Sequence, residues 1–208
     1  MIRVAMAGVA ITGVALLVPG LAVGEPPGTR DPDWPCQQIK VPGIPLAAVW
    51  SGPAVDPRDE SWKNDPAVSD LVATVAPRRE PIEQAQARIH DFAERAGEPK
   101  RARLMQVFAG VFDVLDQERG SVMAGLDRSG ARQKERAAEI RSDNEKLRAL
   151  QAESGADPEA VETLTKQVMW ETEVFQDRRQ ALSYVCDVPG QIEQRLFALA
   201  HQIQEELE

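Results

Sequence analysis

Residues 150–161 read Leu150-Gln151-Ala152-Glu153-Ser154-Gly155-Ala156-Asp157-Pro158-Glu159-Ala160-Val161. Glycine past the end of one helical pattern, followed by aspartate and proline at the start of the next, predicts a helix stop, a short turn and a restart. On the N-terminal side, after Glu98-Pro99, residues Leu104, Phe108, Val111, Leu115, Val122 and Leu126 step by threes, fours and sevens, and Val107, Phe112 and Met123 widen the stripe. A stripe that wide belongs against a bundle core. From Ala131 to Ala152 it narrows to Ala137, Ile140, Leu147 and Leu150, enough for one partner helix. Gly110, Gly120, Gly125 and Gly130 each weaken a helix by about 1 kcal/mol relative to alanine, leaving room for a kink or break near Ser129-Gly130. On the C-terminal side Val161, Leu164, Val168, Phe175, Leu182 and Val185 follow at heptad-like intervals, a pattern that Pro189-Gly190 is expected to close.

The charges favour pairing of the two helices around Gly155. Arg128, Arg132, Lys134, Arg136, Arg141, Lys146 and Arg148 outnumber four acidic residues on the first, whereas Glu153, Asp157, Glu159, Glu162, Glu171 and Glu173 face a single lysine, Lys166, on the second. Opposite signs on consecutive helices suit an antiparallel hairpin with flanking charges that help to set its register. The hairpin, at about residues 131–175, is expected to project from the body as an arm.

Working further outward, Asp65-Pro66 opens a short helix to about Val75, and Pro77 stops it. Glu80-Pro81 opens another, carrying Ile82, Ala85, Ile89, Phe92 and Ala96 up to Gly97, and a last helix uses Ile192, Leu196, Leu199, Ile203 and Leu207. The expected fold is all-α: a helical bundle over residues 65–208, with a long antiparallel coiled-coil-like hairpin.

Residues 25–64 form a different kind of segment. Eight prolines between Glu25 and Pro57 exclude a regular helix, because each lacks an amide donor and biases its predecessor to extended geometry. Trp34, Trp50 and Trp62, with Ile39, Val41, Ile44, Leu46 and Val49, supply apolar content that a disordered spacer lacks. The expectation is an extended strap across the helical body, held by its indoles; the rival reading is a proline-rich ligand for an aromatic groove in a partner. Trp34, Trp50, Trp62 and, on the hairpin, Trp170 are therefore the candidate partner-binding residues.

At the start of the chain Arg3 precedes an apolar run from Val4 to Val18, and Ala22 and Gly24 stand where a cleavage site before Glu25 requires small residues. Residues 1–24 read as a signal peptide, with an uncleaved membrane anchor as the alternative. A periplasmic or secreted location follows, and no other stretch is apolar enough to span a membrane. In an oxidising compartment the only two cysteines, Cys36 and Cys186, are expected to form one disulfide; a redox-active pair and intermolecular bridging are the alternatives.

The whole chain has 208 residues, with 33 Asp+Glu against 24 Lys+Arg and a formal net charge of -9, which argues against gripping nucleic acid through its overall field. Two histidines and two cysteines are too few for most multi-ligand zinc, haem or iron-sulfur sites. His90 and His201 each have a glutamate four residues on, Glu94 and Glu205, a spacing common by chance in so acidic a chain, and no metal site is assigned. No nucleophile elbow, phosphate-cradling loop or haem attachment motif is present. Leu164-Thr165-Lys166-Gln167 places its glutamine one position early for the L-T-x-x-Q box of small secreted envelope-stress proteins, and no family is identified.

The sequence thus points to a non-catalytic protein-binding or scaffold protein, with no cofactor, no nucleic-acid partner and self-association left open. A periplasmic chaperone or envelope-stress or metal sensor is the alternative reading, and an enzyme of unrecognised type the next.

Overall fold

A computed structural model describes Asp31 and residues 33–208; the proposed signal segment 1–24 lies outside the described residues. All regular structure among them is helical. After the start of the strap comes a single helical turn, α1 (Leu46–Val49), then a 3-10 turn at Glu60–Asn64. Five longer helices follow: α2 (Pro66–Val75), α3 (Ile82–Arg95), α4 (Lys100–Ala152), α5 (Pro158–Val185) and α6 (Val188–Glu205).

Local chemistry places the helix ends. Asp65 accepts hydrogen bonds from the Ala67 and Val68 amides, and Pro66 sits in the first turn of α2. Asp157 caps α5 through the Glu159 amide, with Pro158 beside it. Gly97 and Gly155 adopt φ of 62° and 90°, the left-handed backbone that ends α3 and turns the hairpin. Two expected boundaries change. Pro189 and Gly190 lie inside α6 rather than closing the α5 pattern, because proline is tolerated in a first turn whose amides have no partner. The strap is not wholly extended either, since Pro45 precedes one turn of helix.

The core is formed by α2, α3, α6 and the first half of α4. Val68, Val72 and Val75 of α2, Ile89 of α3, Leu104, Phe108, Val111 and Leu115 of α4, and Ile192, Leu196, Leu199 and Ile203 of α6 are fully enclosed. Each such side chain contributes roughly 1.5–3 kcal/mol by leaving water. The strap joins this core through two tryptophans. Trp50 stacks on Phe108 with ring centroids 3.8 Å apart and donates its indole N–H to the Pro53 carbonyl at 2.7 Å, while Trp62, like Val72, packs over Gly110.

Two arginines interrupt the apolar stripes and are nevertheless buried. Arg119 of α4 donates to Glu193 of α6 at 2.6 Å and to the Val41 carbonyl of the strap at 2.9 Å, tying three segments together. Arg195 of α6 reaches the carbonyls of Val75, Ala76 and Glu80, at and just beyond the C-terminus of α2.

α4 runs unbroken through Ser129-Gly130, where the glycines had left room for a kink or break. Gly130 serves a close approach instead. A Cβ there would lie 1.9 Å from the Asp33 carbonyl oxygen, so the strap crosses α4 where a side chain is missing. Gly130→Ala is therefore expected to destabilise the protein by about 1–3 kcal/mol through overpacking, despite alanine's better helix propensity. Gly120→Ala, with nothing within 4 Å of the new methyl, should instead gain up to about 1 kcal/mol. Urea midpoints of the two variants, moving in opposite directions, check both the strap crossing and the continuity of α4.

Candidate functional site

Beyond Gly130 no residue of α4 is fully buried, and α5 buries only Val168. The two helices pack on one another as an antiparallel pair, with Ala137, Ile140, Leu147 and Leu150 half-buried against Val161, Leu164, Val168 and Phe175. The arm has a seam and no deeper core. At 1.5 Å per residue, Ala131 to Ala152 carries it roughly 30 Å from the strap crossing.

A polar layer crosses the seam. Gln167 of α5 donates to Glu171 at 3.0 Å and reaches Asp143 of α4 at 3.5 Å, while Lys146 pairs with Asp143 at 2.8 Å. The expected pairing of opposite charges between the helices is not what forms: Arg136–Glu139, Lys146–Asp143 and Lys166–Glu162 are all bridges within one helix. At 100° per residue, Glu159, Glu162, Glu173 and Asp177 lie roughly 120–180° around α5 from Val168, facing away from α4. Register therefore rests on the apolar seam and its polar layer.

At the root of the arm the strap bridges α4 and α5. Cys36 and Cys186 form a disulfide with a Cα–Cα distance of 5.6 Å. Lys134 of α4 holds Asp33 at 2.6 Å, Gln38 donates to Asp187 at 3.3 Å, and Lys40 bridges Asp31 and Asp127, both at 2.8 Å. The Lys40–Asp31 bond holds the Asp31 carboxyl below its ordinary pKa, and the bonds to Asp127 and Asp31 raise that of Lys40.

The four candidate tryptophans separate sharply. Trp50 and Trp62 are 7% and 8% exposed, so their surfaces are used within the body. Trp34 is half-buried, with Lys40 5.5 Å from its ring and its N–H on the Gln38 carbonyl at 2.8 Å. Trp170 is 64% exposed on α5, next to Met169 at 67%. Sequence reasoning could not separate the four, because an indole that anchors a strap and one that awaits a partner have the same hydropathy.

An apolar patch also lies beside the strap. Val41, Ile44, Pro45 and Ala48 line a groove with Phe197 of α6, which is 57% exposed. Phe197 lies on the outer side of an otherwise well-buried helix, and the sequence reading missed it.

The histidines hold carboxylates rather than a cluster of metal ligands. His90 Nδ1 lies 2.7 Å from Glu206, the residue that follows α6, not on Glu94 as its spacing suggested, because α3 packs against α6. His201 stands 3.4 Å from Glu205. No group of three or more His, Cys, Asp or Glu is gathered for a metal among the described residues. The hydrogen bond that His90 donates to the Glu206 carboxylate raises the pKa of His90, with Glu94 and Asp91 adding to the effect. A raised value means that this contribution to stability is complete below the unfolded pKa of about 6.5 and is lost as pH rises through the higher folded one. The difference in melting temperature between the parent and His90→Gln chains should therefore be largest in mild acid and close as the pH becomes alkaline.

Among the described residues no helix is long and apolar enough to cross a membrane, and neither cysteine is free. The chain matches no protein-family model, no curated protein and no solved structure.

Proposed function

We propose that this is an exported, non-catalytic protein-binding or scaffold protein whose working surface is the α4–α5 arm. The observation that carries the reading is the arm itself. Two continuous helices extend past the core, bury almost nothing, and hold Trp170 and Met169 in solvent. An exposed indole beside a thioether on a rigid support is the kind of group that anchors protein interfaces. Export is proposed from the signal-like segment 1–24, and the disulfide is compatible with an oxidising periplasmic or extracellular space.

The test compares the full chain with a variant whose residues 135–170 are replaced by a short turn, each used for affinity capture from an envelope fraction. One stoichiometric partner held by the full chain and lost by the shortened one is the expected result. A partner held equally by both would overturn the role of the arm. Suppression of aggregation of unrelated proteins, without a stoichiometric partner, would replace a dedicated binder by a chaperone. Circular dichroism of the shortened chain shows whether the body has kept its helices.

A further inference from the structure

Where the arm leaves the body, two clefts between α4 and α5 share Gln133 and Leu182 in their linings. The strap and the disulfide border one cleft. The other, about 520 Å³, is open to solvent and lined by Arg132, Arg136 and Arg178, with Ala181, Leu182 and Val185 as its apolar wall. Arg132 and Arg178 stand twenty-three residues on either side of Gly155, which in an antiparallel pair puts them at the same height on opposite walls.

The carboxylates present do not neutralise these cations. Glu139 is held by Arg136 at 2.7 Å. Arg132 donates only to the Ser129 hydroxyl, at 3.2 Å, and Arg178 has no ion pair or side-chain hydrogen bond among the described residues. Glu135 is the one other carboxylate in the lining, so two guanidiniums share the cleft with one further acid. The chain as a whole carries a net charge of -9 and repels anions at long range, so an anion bound here would be held by these local groups.

We propose that this cleft binds a small anionic amphiphile, with a carboxylate head between Arg132 and Arg178 and an apolar tail along Ala181, Leu182 and Val185. Guanidinium offers paired donors that match the two oxygens of a carboxylate. The volume falls within the range of about 300–1,000 Å³ common for small-molecule sites, and the wall combines apolar surface with a few polar groups as such sites do. A singly charged head balances the one excess positive charge. The site is separate from the exposed tryptophan face of the arm and does not depend on its having a protein partner.

Titration calorimetry of the oxidised full chain with decanoate and, separately, with decyltrimethylammonium tests the proposal. Decanoate is expected to saturate at one per chain below its micelle concentration, and the cation not to bind. Arg132→Gln with Arg178→Gln should weaken decanoate by about tenfold or more, the scale of a lost charged hydrogen bond. Arg148→Gln, on the same helix but outside the cleft, should leave it unchanged. Equal binding of the cation, absence of saturation, or indifference to the double substitution would overturn the proposal. So would light scattering that showed the double variant converting a self-associated parent into a monomer, since the cleft would then hold a second chain.

Discussion

Replacing Cys36 and Cys186 by serine is expected to cost more stability than any other change considered. The bridge closes a loop of sequence separation 150, for which chain entropy gives about 5 kcal/mol as an upper figure; removal of a native disulfide typically costs roughly 2–5 kcal/mol. The melting temperature should fall by about 2–4 °C for each kcal/mol in a domain of this size. The loss should also be uneven along the strap. Asp31 and residues 33–41 are otherwise held by half-exposed ion pairs such as Lys134–Asp33 and Lys40–Asp127, worth little each, and by the Arg119 bond to the Val41 carbonyl. Further along, the strap is fixed by the buried side chains of Val49, Trp50 and Trp62. Amide exchange in the double serine variant should therefore accelerate at residues 33–41 and around Cys186, with much smaller changes in α2 and α3. Uniform acceleration would show that the bridge supports the whole bundle, and two titratable thiols in the native protein would remove it altogether.

Arg195→Met is expected to produce the next largest loss. Arg195 is 8% exposed, and its guanidinium supplies hydrogen bonds to carbonyls of Val75, Ala76 and Glu80 in the region where α2 ends. Val75 and Ala76 stand at the end of α2, where carbonyls lack intrahelical donors and where the macrodipole favours a cation. Burial pulls the pKa of Arg195 below its ordinary value while Glu80 and Glu118 oppose the shift, and arginine remains charged at neutral pH. Methionine keeps much of the volume and leaves the carbonyls without donors, at about 1–3 kcal/mol for each group that water does not reach. A total on the order of 3 kcal/mol or more should lower the melting temperature by roughly 6–12 °C. Arg195→Lys should recover only part of it, because one ammonium cannot span carbonyls on both sides of the turn. If lysine restored the full value, charge at the helix end, rather than the fork of donors, would be what matters.

The order of the helices was legible because their punctuation is local. Asp65-Pro66, Gly97 and Gly155-Ala156-Asp157-Pro158 act within one turn, and each sits at a helix boundary. The all-α class and the Cys36–Cys186 bridge followed from periodicity and from cysteine arithmetic. What the sequence hid was long-range. Gly130 could only be read as a weak point in a helix, since its use depends on Asp33 passing nearly a hundred positions away in the chain. Arg119 and Arg195 looked like ordinary charges, and their burial depends on acceptors in other segments. His90 offered Glu94 as a local partner and took Glu206 instead. The helical hairpin was foreseen. Which of four tryptophans stays in water, the Phe197 groove and the arginine cleft all required the packing.

The unbroken course of α4 bears on how the arm could be used. A linker would let a bound partner tumble relative to the body, whereas here 53 residues form one helix rooted by Leu104, Phe108 and Leu115 in the core and ending at the tip. At 1.5 Å per residue that is a rod of about 80 Å. The tip cannot swing freely without bending a hydrogen-bonded ladder, so a partner seated on the arm would be held in orientation as well as in place. Displacement at the far end would act on the core as a lever acts on its pivot, and the strap clasped across Gly130 lies where that bending would be resisted.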